Sequence, residues 1–189
     1  LHPLRRPGAQ FLRRILIPMS RGTRAVIDLR ALQHNFRLVR ERAPGSQVLA
    51  VVKADGYGHG AVAVAWALGE ADGFGVATFG EALVLQRAGI AQPILLMEGV
   101  MSAEELQLAA EHGFQIVVHQ FWQLALLQRI AVARPLVVWL KVDTGMHRLG
   151  IPLNACLQVW QQLQACAGVT DLVVLERAPE EESGGNTRF

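Results

Sequence analysis

The feature that most constrains this chain is a regular alternation of short apolar runs with segments of helical periodicity. Such alternation predicts a parallel sheet whose strands are joined by helices. Repeats of about 20 to 25 residues suit a (β/α)8 TIM barrel, which takes about 250 residues in all. The sequence therefore predicts an α/β fold, a partial barrel with about six of the eight strands. Those strands lie near residues 48–53, 74–77, 94–97, 114–118, 136–142 and 171–175.

A doubly wound sheet remains an alternative, because six parallel strands suit that architecture as well. The first strand–helix turn lacks the G-x-G-x-x-G pattern of a dinucleotide-binding fold. This absence favours the barrel but does not decide between the two.

Local signals predict where several helices begin and what they bury. A short strand, Ala25–Ile27, is followed by Asp28, a good N-cap for a helix with apolar residues at helical spacing. Ser102 and Glu105 form a capping box before another helix. Leu153, Leu157, Trp160 and Leu163 mark an amphipathic helix near the end of the chain.

Composition narrows the class of protein. A hydrophobic content of 51% is enough for a substantial core, and a net charge of +2 does not argue for nucleic acid as a partner. No apolar stretch reaches the length needed to span a membrane. Cys156 and Cys166 are predicted to be free, buried thiols on different faces of one helix, which suits a reducing, cytoplasmic location.

The two ends of the chain differ in character from the middle. Residues 1–18 hold four arginines and no acid, and we interpret them as upstream or added sequence before a natural start at Met19. An organelle transit peptide is the alternative. Residues 176–189 are rich in Glu and Gly, which predicts a disordered tail. The partial barrel is therefore expected to occupy residues 19–175.

One stretch, Val48 to Gly60, has the form of a reactive site. Five apolar residues lead into Lys53, and Gly56, Gly58 and Gly60 follow before an apolar helix. The pattern predicts a strand buried on both faces, with Lys53 at its carboxyl end. A buried lysine can lose its charge and become a Schiff-base nucleophile. The alternative is that Lys53 simply ends the strand in solvent.

A second stretch repeats this arrangement. The apolar strand from Leu136 runs through Lys141 into the loop Asp143–Gly150. Alternation puts Lys141 on the face shared by Val137 and Trp139, where a buried lysine would need a partner. Arg148 could donate to a phosphate, phenolate or carboxylate. Alternatively, Asp143 pairs with Lys141 or Arg148, and the loop is purely structural.

Two long segments resemble the signature sequences of the alanine racemase family. They are Val51-Val-Lys-Ala-Asp-Gly-Tyr-Gly-His-Gly60 and Trp139-Leu-Lys-Val-Asp-Thr-Gly-Met-His-Arg-Leu-Gly150. The resemblance covers about residues 23 to 175, and it implies a fold type III pyridoxal-phosphate enzyme that has a barrel and a C-terminal β-domain. It further implies interconversion of L- and D-alanine, a homodimer, a role in D-alanine supply for peptidoglycan, and no metal.

The same resemblance implies roles for individual residues. Lys53 matches the lysine that binds pyridoxal 5'-phosphate covalently and removes the α-proton of D-alanine. Tyr57 matches the tyrosine that hydrogen-bonds the cofactor phosphate, and Val51 lines the cofactor pocket. Arg148 matches the arginine near the cofactor's phenolic oxygen and the substrate carboxylate. Lys141 matches a lysine that in many members is carbamylated and holds that arginine.

The chain also departs from the family pattern. The family's second base is a tyrosine from the other subunit, but Tyr57 is the only tyrosine here and already matches another role. The later strands and the β-domain are not recognisable either. We therefore expect an incomplete chain that is poorly soluble and weakly active or inactive. The alternatives are a non-catalytic pyridoxal-phosphate-binding barrel, or another racemase or decarboxylase of the same fold type.

Overall fold

The computed structural model describes residues 15–18 and 24–176 of the 189-residue chain. The chain divides into two compact units, Leu1–Met97 and Glu98–Phe189. All six predicted strands are present among the described residues. Within each unit, the pairs that these strands form with one another are parallel.

The first unit contains two sets of strands. Strands β1 (Ile15–Pro18) and β2 (Arg24–Ile27) pair antiparallel. Strands β3 (Leu49–Val51), β4 (Gly73–Val76) and β5 (Ile94–Leu96) pair in parallel in that order. β1 lies inside the basic segment 1–18, for which no strand was predicted. That the segment is not native stays a prediction. Residues 1–14, 19–23 and 177–189, which include Met19 and nearly all of the predicted tail, lie outside the described part.

Four helical segments accompany these strands: α1 (Leu29–Arg42), α2 (Lys53–Tyr57), α3 (Ala61–Ala67) and α4 (Phe79–Arg87). The Asp28 carboxylate caps α1 as predicted, since it accepts from the backbone N–H groups of Arg30 and Ala31. The core of the unit centres on β4 and β5, every residue of which is buried. Such strands require apolar residues on both faces, which explains their continuous apolar runs.

Strand β3 differs from the prediction. It is three residues long, and all three are half-buried, whereas the apolar run predicted a strand over 48–53 that is buried on both faces. Val52, just after the strand, is the fully buried member of the run. A continuous apolar run indicates that the segment is buried, but it does not predict which of its residues are fully buried. The burial of each residue depends on what packs against each face of the strand.

The second unit is built around a long strand. Strand β7 (Leu136–Asp143) lies between β6 (Gln115–Val118) and β9 (Val169–Leu175), and all three are parallel. The two-residue strand β8 (Ile151–Pro152) pairs with the last two residues of β7. This pairing folds the loop after β7 back onto the strand.

Three helices complete the unit: α5 (Ala103–His112), α6 (Phe121–Arg129) and α7 (Cys156–Gln164), with a 3-10 turn over Leu153–Ala155. The predicted capping box of α5 is half formed. The Ser102 hydroxyl accepts from Glu105 N–H, but the Glu105 carboxylate accepts from the N–H of Met101 and not from that of Ser102. Among the described helices, none is both long and apolar enough to cross a membrane.

The apolar stripe predicted for the last helix is partly wrong. Leu153 and Leu157 are about 70% exposed, whereas Val159 and Leu163 are buried. The helix begins at Cys156, so Leu153 lies outside it, and its buried face is formed by Val159 and Leu163. Cys166 lies beyond the end of α7 and is buried, which raises the pKa of its thiol. Both cysteines are free, as predicted, but Cys156 is only half-buried and the two do not share one helix.

Candidate functional site

Lys53 stands at the carboxyl end of β3, as the sequence predicts. The backbone N–H of Val52 donates to the carbonyl of Gly75 at 2.8 Å and so extends the parallel pairing one residue beyond the strand. The Val52 side chain is 1% exposed. Lys53 is the next residue and is half-buried. A fixed backbone on one side and partial access to solvent on the other suit a nucleophilic amine.

The segment after Lys53 is a left-handed helical turn. Ala54, Asp55, Gly56 and Tyr57 have φ values between 51° and 63°, and Gly58 follows at 79°. Gly56 N–H donates to the Val52 carbonyl at 2.8 Å, and Gly58 N–H donates to the Ala54 carbonyl at 3.0 Å. For a residue with a side chain this conformation costs about 1–2 kcal/mol. Three such residues, Ala54, Asp55 and Tyr57, within one turn require support from the surrounding structure.

Part of that support comes from within the loop. The Asp55 carboxylate accepts from the Ala61 N–H at 2.8 Å, and the Gly60 N–H donates to the Asp55 carbonyl at 2.8 Å. The His59 Nδ1 lies 2.9 Å from the Gly56 carbonyl and 3.0 Å from that of Tyr57. His59 therefore stabilises its own loop.

Glu81 provides a further support, which the sequence analysis missed. Its Oε1 accepts from the Ala54 N–H at 2.8 Å, and its Oε2 accepts from Ala77 N–H at 2.8 Å and Thr78 N–H at 3.3 Å. Thr78 and Glu81 also form a reciprocal capping box at the start of α4. The Thr-x-x-Glu spacing signals that cap. No local signal predicts the bond to Ala54, which lies 27 residues earlier.

The other predicted cofactor contacts in this unit lie on the same strand and turn. Val51 is the last residue of β3 and is half-buried. The Tyr57 side chain is 60% exposed, so solvent reaches it directly. The strand end and turn thus present an amine and a phenol from residues 51–57, which we call the lysine turn.

In the second unit, β7 alternates strictly between buried and half-buried residues. Lys141 shares the half-buried face with Val137 and Trp139, as predicted, but it is only half-buried and not enclosed. The Trp139 indole N–H donates to the Gln115 side-chain oxygen at 2.8 Å, which fixes the ring beside the lysine on this face.

The loop after β7 is organised by Asp143. Its Oδ1 accepts from His147 N–H at 2.9 Å and Gly145 N–H at 3.1 Å, and its Oδ2 lies 3.0 Å from the His147 Nδ1. The backbone bonds from His147 and Gly145 hold the pKa of this carboxyl below its ordinary value of 3.8. Asp143 thus has a structural role in this loop, through the backbone of Gly145 and through the backbone and ring of His147. Arg148 is exposed at the end of this loop.

The predicted site residues therefore fall into two groups. Val51, Lys53 and Tyr57 belong to the lysine turn of the first unit, and Lys141 and Arg148 belong to β7 and its loop in the second. Each group joins the end of a parallel strand to a loop that is fixed by carboxylate–backbone hydrogen bonds. The first can supply a nucleophile and a hydrogen-bond donor, and the second a guanidinium for an anion.

Residues 27–176 match the family described as alanine racemase, N-terminal domain. The chain belongs to the alanine racemase family. It is 53% identical over 156 residues to the alanine racemase of Pseudomonas fluorescens, and 53% identical over 156 residues to the catabolic alanine racemase of Pseudomonas aeruginosa. Each match covers 82% of this chain and 43% of the relative. The chain thus spans less than half the length of the alanine racemases that it matches.

Solved structures of alanine racemases agree with this assignment. The biosynthetic enzyme of Pseudomonas aeruginosa superposes with a TM-score of 0.75 at 39% identity, over 78% of this chain and 42% of that structure. The enzyme of E. faecalis superposes with a TM-score of 0.73 at 34% identity, over 79% of this chain and 42% of that structure. The predicted fold class, an α/β partial barrel, is confirmed through this family.

Proposed function

We propose that this chain carries the lysine half of an alanine racemase active site, which interconverts L- and D-alanine with pyridoxal 5'-phosphate. The observation that carries the proposal is the placement of Lys53, half-buried at the carboxyl end of β3 and followed by a strained turn. Strained backbone of this kind clusters at functional sites, where the surrounding structure holds it in place. Family membership supports the same assignment.

The side chains of the lysine turn suit an aldehyde that carries a phosphate. The Lys53 amine, when neutral, can attack the aldehyde carbon and bind the cofactor covalently. The exposed Tyr57 hydroxyl can donate to a phosphate oxygen, and Val51 can line the ring. A hydrogen bond to a charged acceptor contributes about 1.5–3 kcal/mol, so Tyr57 would add measurably to binding.

Racemisation requires a proton to leave one face of the α-carbon and another to arrive on the opposite face. When bound, pyridoxal phosphate supplies an electron sink that makes the α-proton of an amino acid removable by a side-chain base. Lys53 is the base that we assign to D-alanine. The second base would come from the partner in a homodimer, as the family resemblance implies.

Arg148 is the residue that we assign to the substrate carboxylate and the cofactor's phenolic oxygen. It is exposed, so its guanidinium is available for a planar anion. Lys141 lies on the same strand and loop, and in carbamylated form it would carry a negative charge able to orient that guanidinium. The product would be D-alanine for peptidoglycan, made in the cytoplasm.

Reductive trapping tests the assignment of Lys53. The chain has two lysines, Lys53 and Lys141, so the amines to be mapped are these two and the N-terminus. Purified chain is mixed with pyridoxal phosphate, reduced with borohydride, digested and mapped by mass. We expect the label at Lys53. Lys53→Arg should abolish that label, while Lys141→Arg, the matched control, should retain it.

Label confined to Lys141 or the N-terminus would refute the assignment. Exchange of the α-proton of alanine in deuterated water then separates a racemase from a non-catalytic carrier. Cofactor trapped at Lys53 without any such exchange would favour the carrier. Exchange with serine or lysine in place of alanine would favour another racemase or decarboxylase of the same fold type.

A further inference from the structure

We infer that Glu81 is a positioning residue for Lys53: its carboxylate fixes the Lys53–Ala54 peptide through the backbone N–H of Ala54. The significance for catalysis rests on the proposed function of Lys53, but the geometry does not. The distance from the Glu81 Oε1 to the Ala54 nitrogen is 2.8 Å. Glu81 itself would touch neither cofactor nor substrate.

The geometry links two segments that are far apart in sequence. One carboxylate oxygen holds the first residue of the left-handed turn, and the other holds Ala77 and Thr78 at the end of β4. β4 is fully buried and pairs with both β3 and β5. Glu81 therefore links the lysine turn to the end of a fully buried strand of its unit.

The planarity of the peptide bond explains why the hydrogen bond from Ala54 to Glu81 restrains the backbone of Lys53. The amide of Ala54 shares one plane with the carbonyl carbon and Cα of Lys53. A hydrogen bond that fixes the direction of the Ala54 N–H therefore also fixes ψ of Lys53. The bond stands where the chain changes from Lys53 to the left-handed Ala54, at φ 51°. Without it, the first step into the turn would lose a hydrogen bond that helps to hold an unfavourable conformation.

Only a carboxylate can serve both segments. Each segment presents N–H donors, so each side of the bridge needs an acceptor. Glutamine has the same shape but one acceptor oxygen, and its amide group would face an N–H on one side. Glu81→Gln thus removes one side of the bridge with little change in volume. We expect the loss on the Ala54 side, because the helix cap at Thr78 is the more local of the two.

Glu105 is a matched control for the capping role. It is the third residue of α5, as Glu81 is of α4, and the hydroxyl of its N-cap Ser102 accepts from its N–H at 3.1 Å. Its carboxylate accepts from Met101 N–H at 2.7 Å, one residue before that N-cap. Both glutamates are half-buried. Glu105→Gln therefore removes the carboxylate charge from the start of a helix, as Glu81→Gln does, without removing any contact to the lysine turn.

The test uses the whole chain and combines two measurements. Amide hydrogen exchange at Ala54 reports the hydrogen bond to Glu81 directly, and borohydride trapping of pyridoxal phosphate at Lys53 reports its consequence. In Glu81→Gln we expect Ala54 to exchange about tenfold faster or more, with a comparable fall in the rate of label at Lys53. In Glu105→Gln both should stay at the parent values. A role in helix capping alone would lower the unfolding midpoint of both variants and leave both readouts unchanged.

Unchanged Ala54 exchange in Glu81→Gln would overturn the inference. An Ala54 amide that is already unprotected in the parent chain would overturn it too, whether or not the variants fold. Faster exchange in Glu81→Gln together with no label at Lys53 in the parent would support the hydrogen-bonding role of Glu81 and refute the proposed function. The two claims can therefore fail separately.

Discussion

The Asp55 carboxylate accepts a hydrogen bond from the backbone N–H of Ala61 at 2.8 Å, across six residues of chain. This contact joins the left-handed turn after Lys53 to the first residue of α3. The N-cap of α3 is Gly60, which has no side chain to accept from the exposed N–H groups. Asp55 therefore caps the helix from a distance, and the turn and the helix stabilise each other.

Replacing Asp55 should reveal this dual role. Asp55→Ala removes the cap and places a residue that disfavours a left-handed φ of 52°. We expect a loss of about 1–2 kcal/mol in the free energy of unfolding, measured in urea. Asp55→Asn is the control, since asparagine can cap and tolerates this conformation. An equal loss in both variants would contradict the capping role.

Two glycines of the second unit form a matched pair for close packing. Gly99 and Gly113 have φ values of 71° and 72°. A Cβ at Gly99 would collide with the Val117 carbonyl and lie 2.6 Å from the Gln123 side-chain nitrogen, whereas one at Gly113 would meet open space. Gly113→Ala should therefore cost only the backbone term, about 1–2 kcal/mol.

Gly99→Ala should cost that amount plus a packing term of about 1–3 kcal/mol or more. Urea unfolding of the two variants measures the difference. If Gly99→Ala proved as stable as Gly113→Ala, the backbone near Val117 would have to shift at little cost. That result would contradict the close packing around Gly99.

The Tyr57 hydroxyl can be tested by comparing two cofactors. Under the proposed function, Tyr57→Phe should weaken binding of pyridoxal phosphate by about tenfold, because a hydrogen bond to a charged acceptor is lost. Pyridoxal, which lacks the phosphate, should bind the parent and Tyr57→Phe equally. The concentration that gives half-maximal trapping at Lys53 measures both. A similar loss for both cofactors would assign Tyr57 to the ring or to the turn and not to the phosphate.

The loop after β7 should respond to acid. Folding lowers the pKa of Asp143, chiefly through backbone bonds from His147 and Gly145. The ionised carboxylate therefore stabilises the folded state above its unfolded-state pKa, and this contribution is lost as the pH falls through the lower, folded-state pKa. At about pH 6 the parent should have a higher free energy of unfolding than Asp143→Asn. This difference in free energy should disappear as the pH falls to about 3. Urea unfolding of both proteins at several pH values measures this difference. A difference that does not change with pH would exclude an effect of the Asp143 charge.

Much of the fold can be predicted from the sequence, because its signals are local. The apolar runs at β4, β5 and β7 predict strands because each run reflects the burial of residues close together in the chain. The Asp28 cap depends on atoms two and three residues away. The two lysine-bearing segments are recognisable because their motifs are long and contiguous. Signals of this range need no knowledge of what packs against them.

The tertiary structure alone decided how Lys53 is held. The glycines predict a sharp turn, but Ala54, Asp55 and Tyr57 disfavour the left-handed conformation that they adopt. Contacts that the chain makes only when folded stabilise this turn, above all the bond from Ala54 to Glu81, 27 residues later. Likewise, Leu157 is exposed and Val159 buried because of what covers α7. Sequence patterns determined where the reactive segments lie, and long-range contacts determined their conformation, because the energy that offsets local strain comes from distant residues.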